Sequence, residues 1–277
     1  MKHEIRNTDQ WGRVLFLEEY NTQIGIALDF GIRIVHLSVA GMENLYYVQP
    51  KDLSDGFVTP DGWKLYGGHR LWSAPESDLS YCPDNDPVSY EILENGAAVT
   101  QGKEKWLGIS KRLAVTFEDG KICLTQTIKN EGDAPITCAS WGVNTLGPGT
   151  AEISFPGTAP GDYTPRRRMN LWANTNPHDP RLSFEKDRLT ATFQPLADYC
   201  KLGLYTPEGN AVYTAKGQKF TLTFHTPNVE SCPDGGCNFE LYMGAKFMEL
   251  ETMSTVKTLN PGEETSHQEF WTLETLS

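Results

Sequence analysis

Glu249 and Glu251 stand two residues apart in Met248-Glu249-Leu250-Glu251-Thr252. On an extended strand that spacing sends both carboxylates to one face. If the face is solvated, two like charges there are unremarkable. If it is a semi-buried groove, their repulsion raises one pKa and makes a pair suited to acid–base work or to binding hydroxyls. His69 fits a general acid by residue type, because imidazole titrates near neutrality. Its other reading is a structural donor to a nearby carbonyl. Arg70 and Glu76 either frame a site as an ion pair or meet a ligand directly. Trp72 and Trp172 lie beside polar residues and turns, as core side chains or as flat platforms. Asp234, in Pro-Asp-Gly-Gly, reads first as a turn former and second as a contact to a ligand or a cation. Asn238 shares a strand face with Glu240 near the same groove. Arg181 either pairs with Asp179 or points to ligand.

What is missing narrows the chemistry. The chain has no G-x-x-x-x-G-K-[ST] loop, no G-x-G-x-x-G after a strand, no G-x-S-x-G elbow and no H-E-x-x-H. Its six histidines are not spaced as zinc ligands. Nucleotide-driven chemistry, serine hydrolysis and zinc proteolysis therefore lack support, and neither a metal nor a cofactor is expected. Carboxylates, an occasional His or Arg, and aromatic walls remain. That inventory suits carbohydrate: sugar C–H faces pack on Trp and Tyr, and hydroxyls need polar partners.

Charge and composition agree. The formal net charge is −12 over 277 residues, which disfavours a polyanion such as DNA. The basic run Arg166-Arg167-Arg168 is either a solvated loop or a contact to an anionic sugar. No apolar stretch is long enough for a transmembrane helix, and the polar N-terminus lacks an apolar signal core, so a cytoplasmic location is expected without a membrane partner. Six scattered cysteines without a C-x-x-C pair are expected as free thiols, with a Cys232–Cys237 bond as the alternative. The expected partner is a small saccharide or sugar acid, and oligomeric state is left open.

The elements that must carry these side chains are strands. Leu113, Val115 and Phe117 alternate with polar or small residues up to Glu118-Asp119-Gly120, after which Ile122, Leu124 and Ile128 mark a second strand. Asp-Gly between such runs is a hairpin signal. Ile24, Ile26, Leu28 and Phe30 form one face of another strand, and Phe220, Leu222 and Phe224 alternate with threonines. Turn signals recur, among them Asp55-Gly56, Asn95-Gly96 and Pro261-Gly262. Many strands so punctuated predict an all-β sandwich. No linker or repeat interrupts it, so residues 1–277 are read as one domain. A Pro-, Asn- and Arg-rich segment over 159–181 reads as a long, functional loop.

Several stretches resemble a known superfamily. Gly31-Ile32-Arg33-Ile34 leading into Gly41-Met42-Glu43-Asn44-Leu45 is similar to the opening hairpin of galactose mutarotases (aldose 1-epimerases). Tyr66-Gly67-Gly68-His69-Arg70-Leu71-Trp72-Ser73-Ala74-Pro75-Glu76 extends the likeness. So do Leu171-Trp172-Ala173-Asn174-Thr175 with Asp179-Pro180-Arg181, and Pro233-Asp234-Gly235-Gly236-Cys237-Asn238-Phe239-Glu240. It continues through Met248-Glu249-Leu250-Glu251-Thr252-Met253-Ser254 to the closing Glu269-Phe270-Trp271. The resemblance runs from about Gly31 to Trp271 and implies a large twisted antiparallel β-sandwich with a groove on one concave face. It also implies anomer interconversion, with a late-strand glutamate as base and a histidine as acid. Glu251 falls where that glutamate is expected, and Arg70 where the superfamily often presents an arginine to the sugar. The family's acid histidine lies in Asn-His-x-Tyr-Phe-Asn-Leu; the counterpart here, Ser140-Trp141-Gly142-Val143-Asn144-Thr145-Leu146, has none. His69 is therefore the candidate acid, and a non-catalytic sugar-binding domain is the alternative.

Overall fold

Alternation decides the architecture. In Ile109–Glu118 the side chains of Ile109, Leu113, Val115 and Phe117 are buried, and the strand pairs with Lys121–Asn130 from Glu118↔Lys121 onward, across Asp119-Gly120. The computed structural model describes residues 1–49, 58–157, 160, 161, 163, 167–226 and 228–276. The Asp55-Gly56 turn, Arg166 and part of the 159–181 segment lie outside the described residues.

Two antiparallel sheets face each other. The first runs, in spatial order, Lys2–Thr8, Gly12–Glu19, Thr22–Ala27, Arg33–Val39, Gly68–Ala74, Ile136–Leu146, Met248–Met253, Phe239–Met243, Cys200–Leu204 and Met169–Leu171. Lys257–Leu259 pairs with the start of Ile136–Leu146. The second runs Leu182–Phe184, Arg188–Thr192, Thr150–Ser154, Glu208–Ala215, Gln218–His225, Glu264–Thr275, Lys121–Asn130, Ile109–Glu118, Gly96–Gln101 and Ser89–Leu93. This is the all-β sandwich predicted from the alternation.

The main core lies between the sheets and includes Leu15, Ile26, Leu71, Leu124, Tyr213, Phe220, Leu250 and Trp271. A second cluster sits on the opposite face of the first sheet: Trp63, Leu65, Trp72, Trp141, Val143, Phe247 and Met253. The central strands are thus covered on both faces, and every residue of Gly68–Ala74 is buried. Glycine is required at the entry to that strand. Gly68 has φ +82°, and a Cβ there would lie 2.2 Å from the Ile34 carbonyl oxygen. All six cysteines are free and buried, so no Cys232–Cys237 bond forms. No helix among the described residues is long and apolar enough to cross a membrane.

Candidate active site

The second cluster walls a cavity of about 420 Å³, within the range of small-molecule sites. Its floor is read from the strand register. Arg70 stands opposite Val143, Val143 opposite Glu251, Glu251 opposite Glu240, and Glu240 opposite Gly203. One step along the same face (two residues on each strand), Thr145, Glu249, Tyr242 and Lys201 are aligned. Since residues i and i+2 share a face, these side chains all project from the side turned away from the second sheet. Trp72 stacks on Trp141 (centroids 4.9 Å apart) and on Trp63 (5.7 Å), forming the aromatic wall.

Glu251 is about 1% exposed and accepts a hydrogen bond from Trp141 Nε1 at 3.0 Å. Lys201 Nζ lies 2.9 Å from Glu240 Oε2, 3.7 Å from Glu251 Oε2 and 3.7 Å from Glu76 Oε2. It is also packed between the Trp141 and Trp172 rings, at 5.1 and 5.0 Å from their centroids. Burial works against the Lys201 ammonium, but the Glu251, Glu240 and Glu76 carboxyls outweigh it and hold its pKa above the ordinary lysine value. Burial raises the pKa of Glu251. Burial, and then the charge of Glu251, push Glu240 well up and Glu249 to about 8. Glu249 Oε1 accepts from Thr145 Oγ1 at 2.8 Å. Lys201 thus pairs with the buried Glu240 and Glu251 and the exposed Glu76, while the half-buried Glu249 stands beside them with its pKa raised. Two neighbouring carboxyls with raised pKa values on one cavity floor are candidates for acid–base work.

Arg70 lies 4.2 Å over the Trp63 ring and 3.5 Å from Asp84, while Glu76 faces Lys201. Of the two alternatives for Arg70 and Glu76, the mutual ion pair does not form, because the two side chains meet different neighbours across the cavity. Trp72, Trp172, Glu76, Arg70, Glu249 and Glu251 all line the cavity.

His69 does not. It is fully buried on the opposite face of its strand, between the sheets. Its Nδ1 lies 3.2 Å from Asn144 Oδ1 and its Nε2 3.1 Å from Gln126 Oε1. Adjacent residues on a strand point to opposite faces, so Arg70 in the cavity forces His69 out of it. Arg181 is also placed elsewhere. It pairs with Asp179 at 2.7 Å and donates to the Met243 and Asp198 carbonyls, as a buried loop clamp. Asn238 is a second clamp: it donates to Thr206 O and accepts from Thr206 N, both at 2.8 Å. Asp234 has φ 49° in its turn and does not line the cavity. Arg168 pairs with Glu230, and Arg167 packs on Phe155, both away from the cavity lining.

Lys201, Trp63, Trp141, Tyr81, Tyr199 and Tyr242 line the cavity without having been singled out in the sequence. Lys201 left a signal: it is the one charged residue in Cys200–Leu204, a strand whose every residue is buried.

The sequence matches no family model and no curated protein. Solved structures do match the fold. The chain is similar to a galactose mutarotase-like protein from Lactobacillus casei (14% identity, TM-score 0.61, covering 94% of this chain and 100% of that one). Another, from Clostridium acetobutylicum, matches at 13% identity and TM-score 0.57, covering 99% and 98%. A provisionally assigned aldose 1-epimerase from Escherichia coli K12 matches at 11% identity and TM-score 0.56, covering 95% and 99%. The protein thus has the galactose mutarotase-like fold.

Proposed function

We propose that this protein interconverts the anomers of an aldose in the Glu249/Glu251 cavity. The observation that carries this reading is the pair of carboxyls on one strand face of the cavity floor, under an aromatic wall, with burial raising the pKa of both. Mutarotation needs a base for the proton of the anomeric hydroxyl and an acid for the ring oxygen, two atoms bonded to the same carbon. Carboxyls on residues i and i+2 start roughly 7 Å apart at the backbone and reach one such centre. Glu251 takes the hydroxyl proton, Glu249 protonates the ring oxygen, and the opened sugar recloses on its other face with both transfers reversed. Glu249 here replaces His69 as the acid. The Lys201 ammonium opposes the rise that burial gives Glu251. Trp72, Trp141 and Trp172 meet the sugar's C–H faces, and the chemistry needs no cofactor.

Anomer exchange is measured by two-dimensional exchange NMR over a panel of aldoses, with the native chain, Glu251→Gln and Glu249→Gln. The expected result is faster exchange for at least one sugar, lost in both variants. Exchange at the buffer rate for every sugar, or Glu251→Gln as active as the native chain, overturns the assignment. A second reading, saccharide binding without catalysis, is favoured by one observation: Glu251 is already engaged by Trp141 Nε1 and Lys201. It predicts a rise in melting temperature with saccharide and no exchange above buffer.

A further inference from the structure

The cavity over Glu249 and Glu251 does not end at its own wall. Tyr81 and Thr59 also line a second hollow of about 630 Å³, completed by Asp61, Asp78, Leu79 and Trp106. Asp61 and Trp106 in turn line a third, of about 520 Å³, that reaches Asp86 and Glu104. The three hollows adjoin in succession through these shared lining residues, starting from the one over the candidate catalytic carboxyls. Tyr81 is the shared partition. Its ring packs edge-on against Trp63 and Trp72, and its hydroxyl donates to Glu76.

The second hollow repeats the surface chemistry of the first. Trp106 is 37% exposed and Leu79 49%, so an indole and an aliphatic side chain stand open on one stretch of groove. Isolated exposed apolar residues need no explanation. These two adjoin a candidate sugar site and are flanked by Asp61 and Asp78, which accept hydrogen bonds and donate none when ionised. A flat apolar surface edged by acceptors suits a sugar ring, whose C–H face packs on the indole while its hydroxyls donate outward. Asp61, Asp78, Asp84, Asp86 and Glu104 outnumber Lys103 and Lys105 along the outer two hollows, which disfavours an acidic chain.

We propose that the groove holds a neutral oligosaccharide, with its reducing-end aldose over Glu249 and Glu251 and its next sugar units along Leu79 and Trp106. This rests on the first cavity being an aldose site, and it changes the substrate class from a free monosaccharide or sugar acid to the end of a sugar chain.

The test is calorimetric titration with glucose and galactose, then with maltose, cellobiose, lactose and the corresponding trisaccharides. Each oligosaccharide is compared with its own reducing-end monosaccharide. At least one is expected to bind about tenfold tighter, and Trp106→Ala to remove most of that gain while leaving monosaccharide affinity unchanged, as one lost stacking contact implies. Leu79→Ala is expected to act in the same direction by a smaller factor. Melting curves of both variants confirm that the fold is retained. Oligosaccharides that bind no tighter than monosaccharides, or a Trp106→Ala variant that weakens both alike, overturn the proposal. Exchange NMR on the same samples separates the two claims: tight binding without exchange leaves the groove and removes the catalysis, whereas exchange of monosaccharides with no oligosaccharide gain does the reverse.

Discussion

The two faces of the Met248–Met253 strand carry opposite kinds of buried polarity. On the face toward the second sheet, Thr252 joins a network around Glu269. That carboxylate accepts from Thr252 Oγ1 at 2.6 Å, Trp271 Nε1 at 2.7 Å and Gln126 Nε2 at 2.9 Å. His69 and His267 close the network through Gln126 and Thr252. One carboxylate has three donors there. On the cavity face, Glu240 and Glu251 share Lys201, and Glu249 stands beside Glu251 bonded to Thr145. A buried carboxylate matched by donors rigidifies a core. Carboxyls in excess of their cation have displaced pKa values, which marks a candidate functional site. The comparison shows why His69, an acid by residue type, is structural, while Glu249 faces the cavity.

The sharpest way to break this contrast is to remove one carboxylate from each face. Glu251→Gln is expected to slow anomer exchange by about 10²–10⁴-fold while leaving the melting temperature unchanged or raised, since it relieves repulsion with Glu240. Glu269→Ala is expected to cost about 3 kcal/mol or more of unfolding free energy in urea, because it strands three buried donors. If Glu251→Gln destabilises as much as Glu269→Ala, the cavity carboxyls are structural after all.

The faces also differ in the sign of their pH dependence. Glu249 titrates at about 8 in the folded chain against 4.5 as its ordinary value, so the folded state holds an extra proton between them. Its contribution to stability is full below pH 4.5 and is lost as pH rises through 8. His267 is pushed down by burial to about 4 from 6.5. Its contribution is present above pH 6.5 and is lost as pH falls through 4. Glu249→Gln should therefore remove a fall in unfolding free energy between pH 4.5 and 8, and His267→Gln a rise between pH 4 and 6.5. The histidine effect is the smaller, since its pKa moves less. Identical slopes in variant and native chains would remove the assignment of either limb.

Much of the fold was legible because strand alternation and turn chemistry are local. The Asp119-Gly120 hairpin formed between the strands expected of it, and the same-face relation of Glu249 and Glu251 followed from their spacing alone. The alternation also contained the correction to His69: with Arg70 in a groove, its neighbour must face the other sheet. The roles of Arg181 and Asn238 were not legible, because a clamp and a ligand contact use the same side chain and differ only in what stands opposite. Gly142 shows the reach of such tertiary demands. A Cβ there would lie 2.3 Å from Glu269 Oε1, a residue far away in the chain.

The order of side chains along each strand determined which residues share a face, because the period of two is set by backbone geometry. Which face became a cavity, and which a sealed polar core, was decided only when the second sheet covered one side and the Trp63, Tyr81 and Trp172 segments walled the other. Burial and the position of a single lysine, not residue type, then separated the carboxyls of the cavity from the one that holds the sheets together, since a carboxyl's pKa depends on neighbours brought from distant parts of the chain.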